Sequence, residues 1–208
     1  AFKNWFGDWE NSPETASKVV DENGEPLVVY RGNREQIGYE FTLGHNLLKK
    51  PIINNFGHFF TPNIWVAKRY AEDFMQTDKG YILEVFLNAK NILDLTELGN
   101  DSSGEVFVDY LKSKKLEFGD YEELINEVRK YEGNYDEIDE TYYSPTIYGF
   151  FDYYPKLRDF FIDNNINGIK FLERSRGGGL TYVVFQSEQI KLADGSNTTF
   201  DSENADIR

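Results

Sequence analysis

The chain has 208 residues, 40% of them apolar and 16% aromatic, which is enough for the core of one domain. A net charge of −14 weighs against a broad nucleic-acid interface, which needs a basic surface. The absence of cysteine excludes disulfides, a thiol nucleophile and thiolate zinc sites, and two histidines leave no basis for a histidine metal site. The sequence contains no apolar run long enough to span a bilayer and no secretory signal at its start.

The N-terminal part predicts a helix followed by a hairpin. Within residues 1–10, four aromatic side chains recur at the spacing of one helix face and must dock on the rest of the domain: Phe2, Trp5, Phe6 and Trp9. Residues 19–30 then place two apolar segments on either side of Asn23-Gly24, the strongest short-range signal for a hairpin. The second segment leads directly into Tyr30-Arg31-Gly32.

Arg31 follows four apolar or aromatic strand residues, where a charge is costly unless it is paired or faces a cleft. A guanidinium offers a rigid fork of donors that suits phosphate or ribose oxygens. Gly32, which has no side chain, permits a close approach between the backbone and a ligand. A surface salt bridge beside a turn glycine explains the same two residues, so both interpretations stay open.

Residues 57–70 predict a strand that runs into a helix. His58-Phe59-Phe60 is aromatic and suits a half-buried strand. Thr61 is expected to cap the helix, with Pro62 in its first turn. Apolar positions then recur on one helix face: Val66, Ala67, Tyr70, Ala71 and Phe74.

This geometry brings Phe59 and Tyr70, eleven residues apart, within reach of each other. One lies on the strand and the other on the inner face of the helix beside it. Two aromatic rings that face a common gap are able to clamp a flat heteroaromatic ring. Aromatic residues at helical spacing more often pack in the core, and that alternative stays open.

The segments between these motifs carry weaker signals. Residues 33–56 form a long connection without a clear period, which is typical of a lid or a binding loop. Residues 80–88 and 91–95 predict two strands, and residues 156–164 predict a helix.

The chain changes character at about residues 100–165, which we interpret as a helical acidic insertion in a single domain spanning residues 1–208. Between residues 116 and 140 the sequence has ten acidic and two basic residues. Such a charge run indicates a solvated helical face, and the alternative is a surface that attracts a basic protein.

Residues 168–173 predict a strand, residues 174–180 a glycine-rich loop, and residues 181–185 the next strand. Glu173 and Thr181 therefore flank the loop, one at the end of each strand.

Taken together, these segments resemble the ADP-ribosyltransferase fold. More narrowly, three stretches resemble the ADP-ribosyltransferase domains embedded in large polyvalent proteins of phages and mobile elements: Phe-x-x-Trp-Phe-Gly-Asp-Trp at the start, Val-Val-Asp-x-x-Gly-x-Pro-Leu-Val-Val-Tyr in the hairpin, and Thr-Phe-Asp-x-x-Asn-x-Asp-Ile-Arg at the end. The resemblance covers both ends and about the first 90 residues, and it is weak across residues 94–165.

The resemblance implies an α+β fold in which two small, mostly antiparallel sheets and flanking helices enclose a cleft for NAD. NAD is then the substrate, and no metal is expected. The nicotinamide would lie between Phe59 and Tyr70, with its carboxamide on Gly32 and the phosphates or ribose on Arg31. Three further residues complete the expected NAD-binding set: Tyr30, Phe60 and Thr61.

The chain departs from the family pattern at two positions. The late strand of the family starts with a catalytic Glu, and Thr181 stands there, whose hydroxyl carries no charge to offset a developing cation. Arg31 stands where many relatives carry His, and an Arg there belongs to the toxin-like branch. Glu173, across the loop, is the candidate for the vacant catalytic role. Glu188 lies past the far end of the strand, and we interpret it as a surface residue.

The resemblance therefore predicts a mono-ADP-ribosyltransferase that moves ADP-ribose from NAD to a macromolecular acceptor, with protein favoured over nucleic acid. Its proposed catalytic residues are Arg31, Thr181 and Glu173. The alternative is an inactive module that binds NAD or ADP-ribose, which the identity of residue 181 favours. A bacterial toxin or effector fits the resemblance, either in the cytoplasm or delivered outside it.

Overall fold

The computed structural model describes residues 1–34, 38–41, 56–72, 80–98, 104–116, 121–124, 126, 135–136, 141–142, 151, 156–173 and 178–208. Its helices are α1 (Phe2–Phe6), α2 (Ile64–Ala71), α3 (Gly104–Ser113) and α4 (Lys156–Asp163). Its strands are β1 (Val29–Asn33), β2 (His58–Phe60), β3 (Tyr81–Leu87), β4 (Ile92–Asp94), β5 (Tyr135–Asp136), β6 (Thr141–Tyr142), β7 (Gly168–Glu173), β8 (Gly179–Val184) and β9 (Ile190–Leu192).

Helix α1 docks through buried Trp5 and Phe6, as its aromatic spacing predicts. The helix is shorter than expected and ends at Phe6, because Gly7 adopts a left-handed backbone with φ of 103°. The indole Nε1 of Trp5 donates to the carbonyl oxygen of Glu188 at 3.0 Å. This bond ties the N-terminal helix to the far end of the chain.

The predicted hairpin forms around residues 21–24, where the amide of Gly24 donates to the carbonyl of Asp21. Its two arms meet through an isolated bridge between Val20 and Pro26 rather than through a long ladder. Proline has no N–H to donate, which limits the pairing. The arm nevertheless leads into β1 as expected.

Two small sheets carry the fold. The first has the order β1-β3-β9 and is antiparallel throughout. The second has the order β2-β8-β7-β4 and is antiparallel except for the parallel pair β4–β7. A separate two-stranded ribbon joins β5 to β6. The predicted α+β class with two small, mostly antiparallel sheets is confirmed.

The two sheets meet where β1 reaches the end of β2. Tyr30 and Thr61 exchange backbone hydrogen bonds of 2.8 and 3.0 Å. This pairing holds Thr61 in an extended conformation, so the predicted helix cap at Thr61 is wrong. Helix α2 begins two residues later than expected, with Asn63 as its cap, whose side chain accepts from the amide of Trp65.

The four-stranded sheet is the middle layer of the molecule. Successive strand residues point to opposite faces. On β8, Tyr182 and Val184 pack in a cluster with the three-stranded sheet, whereas Val183 packs in a cluster with α3 and α4. Burial on both faces explains why residues 182–185 read as a continuous apolar and aromatic run.

Parts of residues 100–165 pack on this middle layer. Side chains from α3, residues 121–124 and α4 enter its helical cluster: Phe107, Val108, Leu111, Leu124, Leu157, Phe160 and Phe161. Most of residues 116–155, including much of the acidic run, lies outside the described residues, so the insertion stays a prediction. Among the described helices, none is long and apolar enough to cross a membrane.

Candidate active site

A cavity of about 270 Å³ lies beside the junction of the two sheets. The nine residues that the sequence analysis assigned to catalysis or NAD binding all line it, together with Val66 and Ala67 of α2: Tyr30, Arg31, Gly32, Phe59, Phe60, Thr61, Tyr70, Glu173 and Thr181. Val66 and Ala67 were expected only on the apolar face of the helix. Their lining position follows from that same face, since Tyr70 lies one helical turn further along it.

Phe59 and Tyr70 differ from the neighbouring apolar residues in burial. Phe60, Val66 and Ala67 are buried, whereas Phe59 and Tyr70 are half-buried and both line the cavity. Two partly exposed rings on opposing elements provide the flat apolar walls that an aromatic ligand needs. Phe59 also packs against the helical apolar cluster, so the alternative that these rings serve the core stays open.

Gly32 lets helix α2 pack directly on β1. A Cβ atom at Gly32 would lie 1.8 Å from the carbonyl oxygen of Ala67 and 2.9 Å from the amide nitrogen of Ala71. Such distances are far below van der Waals contact, so no larger residue fits without moving the helix. The residue is thus required by packing, independently of any ligand that its backbone holds.

Arg31 is a half-buried cation and lines the cavity. Its Nε donates to Oδ1 of Asn33 at 3.1 Å, and its guanidinium carbon lies 5.3 Å from the ring centre of Phe41 and 6.0 Å from that of Phe60. Its Nη1 is buried and has no hydrogen-bond partner among the described residues. Loss of solvation lowers the pKa of Arg31 to about 10, so the side chain remains charged at neutral pH.

His58 lies behind Arg31, on the same strand face as Phe60, and does not line the cavity. Its ring packs edge-on against Phe41 at 5.2 Å between ring centres. Burial, followed by the positive charges of Arg31 and Arg158, lowers the pKa of His58 to about 3. The imidazole is therefore neutral at physiological pH.

Glu173 is the buried carboxylate of the cavity. Residues Ile169 and Phe171 share its side of β7 and pack towards the helical cluster, so alternation places Glu173 on that face at the end of the strand. It is 5% exposed and Thr181 is 3% exposed. The Thr181 hydroxyl donates to Oε2 of Glu173 at 3.2 Å, and the Tyr70 hydroxyl donates to Oε1.

The register of β7 and β8 explains this contact. Phe171 pairs with Thr181 and Glu173 pairs with Gly179, so Glu173 and Thr181 are diagonal neighbours on one face. The carboxylate therefore reaches the position beside Thr181 from the neighbouring strand. Residues 174–177 of the connecting loop, with Arg174 and Arg176, lie outside the described residues.

Glu188 is remote from this arrangement and does not line the cavity. It lies in a 3₁₀ helix, Ser187–Gln189, which the side chain of Gln189 closes by accepting from the amides of Phe185 and Gln186. Gln186, Ser187 and Glu188 thus belong to a local capped turn outside the cavity. Among the described residues, no cluster of three or more His, Asp or Glu side chains is suited to a metal ion.

Phe41 packs beside residues of the site, and sequence reasoning missed it. It comes from the long connection over residues 33–56, which has no periodic pattern and gave no signal for a buried aromatic. In the structure it is 5% exposed and packs against Arg31, His58 and Phe60. Residues 35–37 and 42–55 of this connection, and so the predicted lid, lie outside the described residues.

Two small, mostly antiparallel sheets that meet beside a cavity agree with the fold expected of an ADP-ribosyltransferase domain. The chain belongs to the family described as ADP-ribosyltransferase in polyvalent proteins, whose model matches residues 21–200. Enzymes of this kind use NAD as the donor of ADP-ribose. Searches of curated proteins and of solved structures found no match.

Proposed function

We propose that this domain transfers one ADP-ribose unit from NAD to a macromolecular acceptor. One observation carries the proposal: an aromatic pair, a guanidinium with a buried unpaired nitrogen, and a buried carboxylate converge on one cavity. Each group matches one part of the donor, namely the nicotinamide ring, the anionic phosphates and the ribose cation of the transition state. A protein acceptor is favoured, since a net charge of −14 opposes nucleic acid.

In the proposed complex, the nicotinamide ring stacks between Phe59 and Tyr70, and its carboxamide bonds to the backbone of Gly32. Arg31, which lines the cavity, holds a phosphate or ribose oxygen through its planar set of donors. A cavity of about 270 Å³ is slightly smaller than typical ligand sites, which span roughly 300–1,000 Å³. It therefore suits the nicotinamide riboside end, while the adenosine end extends through its mouth.

The reaction breaks the bond between C1′ of the ribose and the nicotinamide nitrogen, whose electron pair leaves with nicotinamide. C1′ becomes cationic until an acceptor atom forms the new bond and releases its proton. We assign the stabilisation of this cation to Glu173, because its carboxylate is the negative charge that lines the cavity. Thr181 contributes a hydrogen bond rather than a charge.

Calorimetry tests the NAD site. Phe59→Ala and Tyr70→Ala are each expected to weaken NAD binding roughly tenfold, since stacking on an aromatic ring is worth about 1–3 kcal/mol. Trp65→Ala is the matched control, because Trp65 is an aromatic residue of α2 that is 69% exposed and does not line the cavity. An absence of NAD binding by the wild type up to millimolar concentrations would reject the site.

Transfer itself is tested with labelled NAD and a cell lysate, followed by mass spectrometry of the modified species. Glu173→Gln is expected to abolish labelling while NAD affinity is kept, and Glu188→Gln to leave labelling unchanged. Thr181→Glu in the Glu173→Gln background is expected to raise NAD hydrolysis above that of Glu173→Gln alone, since it returns a carboxylate to the cavity wall. Equal labelling by wild type and Glu173→Gln would remove Glu173 from the mechanism.

A second candidate function, a module that binds NAD or ADP-ribose without chemistry, is favoured by Thr181 at the position where the family carries its catalytic Glu. One measurement separates the two functions, namely whether the wild type consumes the NAD that it binds. If the wild type binds NAD but neither hydrolyses it nor labels any lysate component, the binding module replaces the enzyme.

A further inference from the structure

We infer that the hydroxyls of Tyr70 and Thr181 position the Glu173 carboxylate, an inference that rests on the proposed function. Tyr70 then has a second role that is separable from stacking. The carboxylate is contributed by β7 and is held from two sides. The Tyr70 hydroxyl donates to Oε1, and the Thr181 hydroxyl donates to Oε2 at 3.2 Å. The three residues come from α2, β8 and β7, and all line the same cavity.

These two hydrogen bonds matter because the groups that form them are largely shielded from water. Glu173 is 5% exposed and Thr181 is 3% exposed, so few water molecules are available to orient the carboxylate. A glutamate side chain has three rotatable bonds, and its charge stabilises a cation only when it is held at the right point. Two donors from two different elements define that point more sharply than either donor does alone.

Stacking and hydrogen bonding use different parts of Tyr70. The face of the ring is available to the nicotinamide, whereas the hydroxyl lies in the plane of the ring at its far end and points to Glu173. Both interactions are therefore compatible in one complex. Phe59, the opposite wall of the clamp, has no hydroxyl, so this second role belongs to Tyr70 and distinguishes the two rings.

The geometry also explains how Thr181 is compatible with catalysis. Thr181, the third residue of β8, has a shorter side chain than a glutamate, and its hydroxyl donates to the Glu173 carboxylate beside it. Glu173 on the adjacent strand provides the carboxylate. The function that the family assigns to one residue is thus divided between a charged residue and two residues that orient it.

The test separates the ring of Tyr70 from its hydroxyl. Tyr70→Phe keeps the aromatic face, so the dissociation constant for NAD should change less than about threefold, whereas kcat should fall roughly 10- to 100-fold, as expected for a lost hydrogen bond to a charged group. Thr181→Val should likewise lower kcat with little change in NAD affinity. Thr181→Ser keeps the hydroxyl and should retain most of the wild-type activity. Tyr81→Phe is the matched control, because Tyr81 is 39% exposed on β3 outside the cavity.

A second readout does not depend on turnover. In a double-mutant cycle measured by urea unfolding, Tyr70→Phe and Glu173→Gln should be non-additive, since each change disrupts the same hydrogen bond. Tyr81→Phe and Glu173→Gln should be additive.

The outcomes distinguish this inference from the function on which it rests. A wild type that labels acceptors while Tyr70→Phe and Thr181→Val match its kcat overturns the positioning roles and leaves the transferase intact. Equal losses in NAD affinity and kcat on Tyr70→Phe also overturn them, because the hydroxyl would then serve binding. A wild type that binds NAD without any turnover overturns the transferase, and the inference with it.

Discussion

At the scale of residues, the site is built from polar groups whose burial is only partly compensated. Arg31 and His58 each have a buried nitrogen without a hydrogen-bond partner among the described residues, and such atoms ordinarily cost about 1–3 kcal/mol. The two residues differ in their charge state. His58 stays neutral, whereas Arg31 stays charged and belongs to the residues that line the cavity.

His58 makes stability depend on pH. Its pKa is about 3 in the folded protein, against an ordinary value of 6.5, so below pH 6.5 the unfolded chain takes up a proton that the folded protein refuses. Stability is therefore full above pH 6.5 and is lost as the pH falls towards 3, by about 1.4 kcal/mol per pH unit. Urea unfolding between pH 7 and pH 4 measures this slope.

His58→Phe should flatten that slope. An unchanged slope in His58→Phe would show that other groups govern the acid sensitivity.

Arg31→Lys tests whether the planar fork matters at the cavity. A lysine keeps the charge but not the paired donors, so NAD binding is expected to weaken by about 1.5–3 kcal/mol. Calorimetry measures the binding and thermal unfolding the stability. Arg208→Lys is the control, since Arg208 pairs with Asp206 outside the cavity. A drop in unfolding temperature that accounts for the whole binding loss would assign Arg31 to structure alone.

At the scale of elements, helix α2 sets the width of the cavity. It packs on β1 and β3, and its close approach depends on two glycines. A Cβ at Gly32 would meet the backbone of Ala67, and one at Gly80 would lie 2.6 Å from the carbonyl oxygen of Ala71. Because the same helix carries Tyr70, any shift of α2 moves one wall of the aromatic pair and the donor to Glu173 together.

Gly32→Ala is therefore expected to destabilise the fold by about 1–3 kcal/mol through overpacking and to weaken NAD binding at the same time. Gly38→Ala is the matched control, because a Cβ at Gly38 meets no atom within 4 Å. Thermal unfolding and calorimetry on both variants provide the comparison. Wild-type stability in Gly32→Ala would mean that α2 has room to move away from β1.

At the scale of the whole molecule, the four-stranded sheet joins two apolar clusters, and the C-terminal segment closes one of them. Lys191 on β9 is 1% exposed, and its Nζ donates to the carbonyl oxygens of Asn204 and Asp206 at 2.7 Å each. Buried Ile207 then joins β9 to the segment before Phe41, since Leu192 donates to its carbonyl and its amide donates to Tyr39. The last residues thereby support the neighbourhood of Arg31.

Lys191→Met tests this support. It keeps the length of the side chain and leaves two carbonyls unpaired, so we expect a loss of about 1–3 kcal/mol for each of them that stays buried. Faster hydrogen exchange at Ile207 and Leu192 should accompany the loss. Lys90→Met, at an exposed lysine, is the control. Unchanged exchange at those two amides would show that apolar burial alone holds the segment.

The sequence by itself determined the local elements and most of the residues that line the cavity. The strand over residues 168–173 was predicted to the residue, because an apolar run bounded by turn residues has few alternatives. The eleven-residue spacing of Phe59 and Tyr70 sufficed to put both on one cavity, because the periods of strand and helix are fixed. The roles of these residues stay predictions until binding and transfer are measured.

Tertiary structure alone decided the contacts between segments that are distant in the chain. Thr61 was expected to cap α2 from local propensity, and its pairing with Tyr30 prevented this. Phe41 reached Arg31 without any periodic signal. The bond from Tyr70 to Glu173 joins residues that are 103 positions apart, and only the packing of α2 against the end of β7 brings them together. Local propensity and periodicity thus predict which side chains each strand or helix presents. The pairing of strands and the packing of helices determine which of those side chains contact each other.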